Sequence, residues 1–110
     1  MISTHDLHWA AGFLDGEGCF TLSRRTPVVS SGQKYSPSLE KLKRIFGYGN
    51  ICLRRKKPLF IWSIAGYRAA AIMMTLYPLL SPYRQNRIRE ILTIFKNTRK
   101  GRHTRYNPHE

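Results

Sequence analysis

Acidic residues are scarce in this chain of 110 residues. Six Asp and Glu residues stand against 19 Lys and Arg residues, which gives a formal net charge of +13. Residues 1–23 contain three of the acids and no Lys or Arg, so all of the positive charge follows in the rest of the chain. Such a basic surface predicts a polyanionic partner, and the length supports one domain.

The chain also has only two cysteines and no long apolar segment. Cys19 and Cys52 have no CxxC partner, and the histidines at positions 5, 8, 103 and 109 fit no zinc-finger spacing. We expect both cysteines to be reduced core residues of an intracellular protein, because no secretory leader is visible. The apolar residues 69–80 are short and interrupted by Pro78, which predicts a core helix and no contact with a membrane.

Residues 9–20 combine apolar residues, glycines and acids in an informative order. Their first half favours a helix that Ser3 or Thr4 can cap. Gly16 and Gly18 predict that this helix ends in a turn with positive φ, and the alternation in residues 19–23 predicts a strand. The segment is therefore expected to form a helix, a turn and a strand.

Two carboxylates, Asp15 and Glu17, lie where this helix is predicted to end. The C-terminal end of a helix carries partial negative charge, so acids are unfavourable there without compensation. A bound divalent cation would compensate this negative charge. Glu17 would be its direct ligand, and the carbonyl of Gly18 or Gly16 would be a second ligand. The simpler alternative is a helix that ends at glycines and leaves its acids in solvent.

Small residues on the same helix predict a helix–helix contact. Gly12 and Gly16 are one turn apart with Ala11 adjacent, and small residues at this spacing let two helix backbones approach closely. Two such helices would bring two copies of Glu17 together. Asp15 is expected to be structural and to accept hydrogen bonds from backbone N–H groups across that contact.

The segment Trp-Ala-Ala-Gly-Phe-Leu-Asp-Gly-Glu-Gly-Cys-Phe, residues 9–20, resembles the signature of the LAGLIDADG homing endonucleases. Weaker similarities at residues 46–51, 60–64 and 76–80 extend the resemblance over residues 4–95. It implies an α+β fold of order αββαββα, with a curved antiparallel sheet whose concave face lies in the DNA major groove. The single copy of the signature resembles the single-motif, homodimeric branch.

The predicted elements follow that order with one departure. Residues 26–36 are rich in Pro, Ser and Gly, so we predict at most a short strand at Val28 and Val29 and a turn at residues 30–33. The second strand is thus expected to be shortened. Ser36 and Pro37 begin a second helix that Gly47 ends, and strands at residues 51–53 and 59–65 form a hairpin. Helices at residues 67–77 and 83–95 complete a domain of residues 1–97, and residues 98–110 are expected to be a flexible basic tail.

The resemblance implies a metal-dependent, site-specific double-strand DNA endonuclease of the intron-encoded kind. The cofactor would be Mg²⁺ or another divalent cation such as Mn²⁺, and the partners a second copy of the chain and a long, near-palindromic DNA site. Family members commonly have a catalytic lysine near the start of the last helix, where this chain offers Arg84. The residues expected to contact DNA are basic and lie near strand ends: Arg24, Arg25, Lys34, Arg54, Arg55, Lys56 and Lys57.

Two alternatives remain open from the sequence. A non-cleaving DNA- or RNA-binding module of the same fold, a maturase or a regulator, is favoured by the shortened second strand and the missing lysine. The acid at position 17 opposes it, since binding alone does not require a carboxylate there. A ribosomal-type RNA-binding protein would explain the charge but not residues 9–20.

Overall fold

Four antiparallel strands form one sheet, and the helices cover one of its faces. The structure is a computed structural model that describes the backbone of residues 2–105 and the side chains of residues 2–98. The helices are α1 (Thr4–Glu17), α2 (Pro37–Phe46), α3 (Tyr67–Leu76), a 3₁₀ turn (Tyr77–Leu79) and α4 (Pro82–Arg105). The strands are β1 (Gly18–Ser23), β2 (Thr26–Gln33), β3 (Asn50–Arg54) and β4 (Leu59–Ala65).

The sheet has the strand order β1-β2-β4-β3. Side chains alternate across it, so that Phe20, Val29 and Trp62 are buried against the helices. The opposite face is covered by no helix of the described residues. The α+β architecture and the order αββαββα are therefore confirmed.

The prediction of a shortened second strand was wrong. β2 runs for eight residues and pairs with β1 on one side and with β4 on the other. Its backbone groups thus find partners in two strands, which outweighs the weak strand preference of Ser and Gly. The preceding turn takes two residues, Arg24 and Arg25, which leaves residues 26–33 free to pair.

The start of α1 agrees with the sequence, but its end differs. The Ser3 hydroxyl accepts a hydrogen bond from the backbone N–H of Asp6 at 3.1 Å. The predicted turn with positive φ is absent, because Gly18 has φ −89° and ψ 167° and α1 passes directly into β1. Glycine is required there for space, since a Cβ atom would lie 2.5 Å from the Leu14 carbonyl oxygen.

The later helices are close to their predicted positions. Pro37 begins α2 and Gly47, with φ 76°, ends it, although the Ser36 hydroxyl donates to the Glu40 carboxylate rather than capping the backbone. α3 buries an apolar face, as expected for a core helix, and no helix in the described part of the chain is long and apolar enough to cross a membrane. α4 continues to Arg105, past the expected end at residue 95. The division at residue 98 stays a prediction, and residues 106–110 lie outside the described part.

The prediction that both cysteines are core residues was wrong. Cys19 and Cys52 are free thiols, and both are exposed. Each is next to a residue that faces the helices, Phe20 and Ile51, so the strand alternation turns the cysteines to the uncovered face of the sheet. Both therefore lie on the uncovered face of the sheet.

Candidate functional site

Three of the last four carbonyls of α1 are capped by specific partners. The N–H of Gly18 donates to the Leu14 carbonyl, and the buried Ser31 hydroxyl donates to the Glu17 carbonyl at 2.9 Å. Nε of Arg84 donates to the Asp15 carbonyl at 3.0 Å. Helix ends leave these acceptors unpaired unless other groups reach them. The end of α1 is therefore fixed to both β2 and α4.

Asp15 connects α1 to the first residues of α4. Its Oδ1 accepts a hydrogen bond from the backbone N–H of Ser81 at 2.9 Å, directly before α4 begins. A carboxylate at a helix N-terminus also interacts favourably with the partial positive charge there. Asp15 was expected to accept a hydrogen bond from a backbone N–H group of a second helix across a helix–helix contact. It does accept one from a backbone N–H group, but the donor is Ser81 of the same chain.

Replacing Asp15 with Ala is therefore expected to lower the free energy of unfolding by about 1–2 kcal/mol, because the α4 end loses its acceptor and its charge partner. Asp15→Asn keeps an acceptor and should recover most of that loss. Urea denaturation of the two variants beside the parent chain measures both effects. Equal stability of the Ala variant and the parent would show that the Ser81 contact contributes nothing.

Arg84 supplies a positive charge at the C-terminal end of α1. Its guanidinium donates to the Asp15 carbonyl, and its Cζ lies 5.6 Å from the centroid of the Phe20 ring. The sequence suggested that the acids at this helix end need a bound cation. Arg84 already provides positive charge at this helix end, so of the two acids only Glu17 is left for a bound metal ion to compensate.

Glu17 is the free carboxylate of this region. It is exposed at the last position of α1, and within residues 2–98 its side chain has no hydrogen-bond or ion-pair partner. No three His, Cys, Asp or Glu side chains of the described residues are grouped to hold a metal. One carboxylate still suits Mg²⁺, which binds proteins through one or two carboxylates and takes its other ligands from water and phosphate.

One face of α1 is open along its length. Gly12 and Gly16 are exposed, and a Cβ atom at either position would meet nothing within 4 Å. Ala11, which was expected to share this face, is instead buried in the core. The stacked rings of Trp9 and Phe13, 5.2 Å apart, are half-buried on the same helix. The glycine face is therefore available to a second helix.

The expected DNA contacts lie at two opposite ends of the sheet. Arg24 and Arg25 form the β1–β2 turn, which lies beyond the Ser23–Thr26 pair. Lys34 follows the end of β2, next to the start of β4, where the β3–β4 cluster (residues 54–57) also lies. All seven side chains are exposed. Eight residues of β2 separate the two groups, a distance of roughly 25 Å.

Arg68 of α3 and Arg87 of α4 differ, because they contact the chain itself. Arg68 lies 3.6 Å from the centroid of the Tyr48 ring, and Nε of Arg87 donates to the Phe20 carbonyl at 3.3 Å. Sequence reasoning missed Ser31, Ser81 and Arg87, which hold the end of α1 and the start of β1. They are distant in sequence from the groups that they bind, and the sequence carries no signal that could have identified them.

No protein-family model and no curated protein matches the chain, but solved structures do. The homing endonuclease I-CvuI, in complex with the I-CreI target, has a TM-score of 0.71 and 21% identity over 86% of this chain and 69% of its own. The group I intron-encoded homing endonuclease I-CeuI, complexed with DNA, has a TM-score of 0.76 and 14% identity, covering 94% of this chain and 60% of its own.

A third match is longer than this chain. The LAGLIDADG meganuclease I-AabMI, bound to uncleaved DNA, has a TM-score of 0.72 and 21% identity. The match covers 89% of this chain but 38% of I-AabMI, so the chain spans well under half of that protein. These likenesses confirm at the level of architecture what residues 9–20 suggested: the chain has the fold of the LAGLIDADG homing endonucleases.

Proposed function

We propose that the chain is a divalent-cation-dependent endonuclease that cuts both strands of duplex DNA at a specific site as a homodimer. The observation that carries the proposal is the end of α1, where an unpartnered carboxylate is exposed on a backbone that β2 and α4 hold in place. The fold supports it, since the matched structures include homing endonucleases bound to DNA.

The homodimer follows from the number of carboxylates. One chain offers one free carboxylate at this position, whereas cutting two strands requires a site for each. The open face of α1 at Gly12 and Gly16 allows a second copy of the helix to approach closely. A two-fold contact along this face, with its axis parallel to the two helices, would bring the two Glu17 side chains to the same end of the interface.

Glu17 would hold the cation, Mg²⁺ or Mn²⁺, together with phosphate oxygens of the DNA, water and a neighbouring carbonyl such as that of Gly18. A bound divalent cation stabilises the charge that develops on a phosphate and lowers the pKa of bound water. The chain itself would position the Glu17 carboxylate. The hydrogen bonds to the carbonyls of Asp15 and Glu17 fix the backbone from which this side chain projects.

Arg84 would act in two ways in this proposal. Its Nε holds the Asp15 carbonyl, and the rest of its guanidinium adds positive charge close to the end of α1. A permanent cation can stabilise a negatively charged phosphate but is poorly suited to carry a proton. We therefore assign Arg84 a stabilising role and leave proton transfer to water.

The two basic groups define the length of DNA that one chain would cover. Their separation of roughly 25 Å corresponds to about seven base pairs. The uncovered face of the sheet lies between them and would face the DNA. Two chains related by a two-fold axis would cover two such half-sites, which predicts a near-palindromic target.

The β3–β4 cluster gives a test of this DNA surface. Replacing Lys56 and Lys57 with Gln should reduce the slope of log K against log salt by about two per chain, because each phosphate contact releases condensed counterions. Fluorescence anisotropy on a mixed-sequence duplex in EDTA measures the slope. An unchanged slope would remove both lysines from the DNA surface.

A non-cleaving DNA- or RNA-binding module of the same fold is the second candidate. The full length of β2 removes one of its two sequence arguments, and Arg84 in place of a lysine is the argument that remains. Nicking of supercoiled plasmid with Mg²⁺, compared with EDTA, separates the two. Binding to the plasmid without strand breaks in Mg²⁺ or Mn²⁺ would favour the binding module.

A further inference from the structure

The β1–β2 turn places two adjacent arginines in an unfavourable backbone conformation. Arg24 has φ 51° and Arg25 has φ 65°, and no other non-glycine residue in the described part of the chain has positive φ. Positive φ at both central residues is what a type I′ hairpin turn requires. Asn-Gly satisfies this requirement best, because these two residues tolerate the left-handed region.

No side-chain contact of Arg24 or Arg25 within the described residues compensates for this conformation. Both side chains are exposed, and within residues 2–98 neither guanidinium has a hydrogen bond, ion pair or ring contact. Arg68, Arg84 and Arg87 differ, since each contacts the chain. They reach the Tyr48 ring, the Asp15 carbonyl and the Phe20 carbonyl, respectively. Strained residues that the fold itself does not need are found mainly at binding sites.

We propose that the Arg24–Arg25 turn is a rigid phosphate clamp, which lowers folding stability and contributes more to DNA affinity than Lys56 and Lys57 of the β3–β4 cluster do. The proposal rests on the proposed DNA-binding function and identifies its dominant anchor. The clamp would bind the DNA backbone, so its contribution would be independent of base sequence.

Rigidity is the first reason for this ranking. The clamp is a two-residue turn closed by the Ser23–Thr26 pair of neighbouring strands. The β3–β4 connection takes four residues, 55–58, between the ends of its strands. A shorter and more constrained turn has less conformational freedom to lose when it binds.

Side-chain chemistry is the second reason. A guanidinium presents a planar set of donors that can bind two phosphate oxygens at once, whereas the ammonium of Lys is a point charge. The clamp consists of two arginines, whereas Lys56 and Lys57 occupy the middle of the β3–β4 connection. The two charges of the clamp should therefore contribute more to affinity than the two charges of Lys56 and Lys57.

The experiment compares three double variants with the parent chain. R24N/R25G introduces the preferred turn sequence and removes two charges, K56N/K57G makes the same replacements in the other turn, and R24K/R25K keeps the charge and the strained positions. Thermal unfolding without DNA measures stability. Anisotropy in EDTA, with a mixed-sequence duplex as the probe, measures affinity and its dependence on salt.

R24N/R25G should raise Tm by about 5 °C, since the strain is removed, whereas the other two variants should not raise it. At equal salt, R24N/R25G should lose at least about tenfold more affinity than K56N/K57G, although both reduce the salt slope by about two. R24K/R25K should retain the slope of log K against log salt, because the charge is kept. It should lose about tenfold in affinity, because Lys lacks the planar donors of Arg.

Each measurement can overturn a separate claim. An R24N/R25G variant that is no more stable than the parent would refute the claim that Arg24 and Arg25 strain the turn. Equal affinity losses at the two turns, or full affinity in R24K/R25K, would refute the clamp. A parent chain that binds no duplex would instead refute the proposed function itself, whatever the Tm values show.

Discussion

Replacing Glu17 with Gln is expected to reduce DNA cleavage by about three orders of magnitude or more while affinity for DNA in EDTA stays nearly unchanged. Glutamine has almost the same shape, so the capped backbone at the end of α1 remains intact. It removes the negative charge that a hard divalent cation requires. The loss should therefore appear in catalysis alone.

Glu90→Gln is the matched control for this variant, because Glu90 is an exposed carboxylate on α4 and outside the site. It should cleave DNA as the parent does. Both proteins are assayed for plasmid cleavage with Mg²⁺ and for binding to the same DNA without it. Cleavage by Glu17→Gln at the parent rate would remove Glu17 from the active site. Loss of binding together with cleavage would make it a structural residue.

Replacing Gly12 with Leu is expected to convert the proposed homodimer into a monomer and to abolish double-strand cleavage. Within one chain the added side chain begins in open space, since a Cβ atom at Gly12 meets nothing within 4 Å. Leu also favours a helix more than Gly does, so the folded monomer of the variant should be at least as stable as that of the parent chain. In the proposed dimer the same side chain would keep the two α1 backbones apart.

Ala71→Leu is the control for added bulk, because Ala71 is exposed on α3. This variant should remain dimeric. Sedimentation velocity at equal concentrations measures the mass of both variants and of the parent chain. A dimeric Gly12→Leu variant would move the interface elsewhere. A parent chain that is monomeric both free and on DNA would contradict the paired site.

Local pattern explains why some elements were predicted well. β4 was predicted over the residues that it occupies, since residues 59–65 are apolar and aromatic between turn residues. α2 agreed as well, because Pro37 and Gly47 stand at its ends. Each of these signals lies within the element that it determines.

Tertiary contacts explain the errors. β2 contains Ser, Gly and Pro and looks like a loop until β1 and β4 lie on either side of it. The cysteines were placed in the core by residue type, whereas the strand alternation places them on the open face. The Asp15–Ser81 bond joins residues 66 positions apart, so the sequence could suggest that Asp15 is structural but not which N–H it binds.

The site shows the same division. Residues 9–20 were sufficient to propose Glu17 as a metal ligand and Gly12 and Gly16 as a contact face, because the types and spacing of these residues are local. The structure shows that all three are exposed, whereas their roles remain predictions. The role of Arg84 as a cap of α1 depends on where α4 starts, which only the fold determines. The strain at Arg24 and Arg25 likewise becomes visible only once the turn has two residues.

The most direct test of the central claim is to sequence the DNA ends that the parent chain produces from a supercoiled plasmid pool with randomised inserts. With Mg²⁺ the parent should produce linear molecules whose ends fall within one near-palindromic sequence, and neither EDTA nor Glu17→Gln should yield them. Ends at unrelated sequences, or the same ends from Glu17→Gln, would contradict a site-specific endonuclease built on paired Glu17 residues.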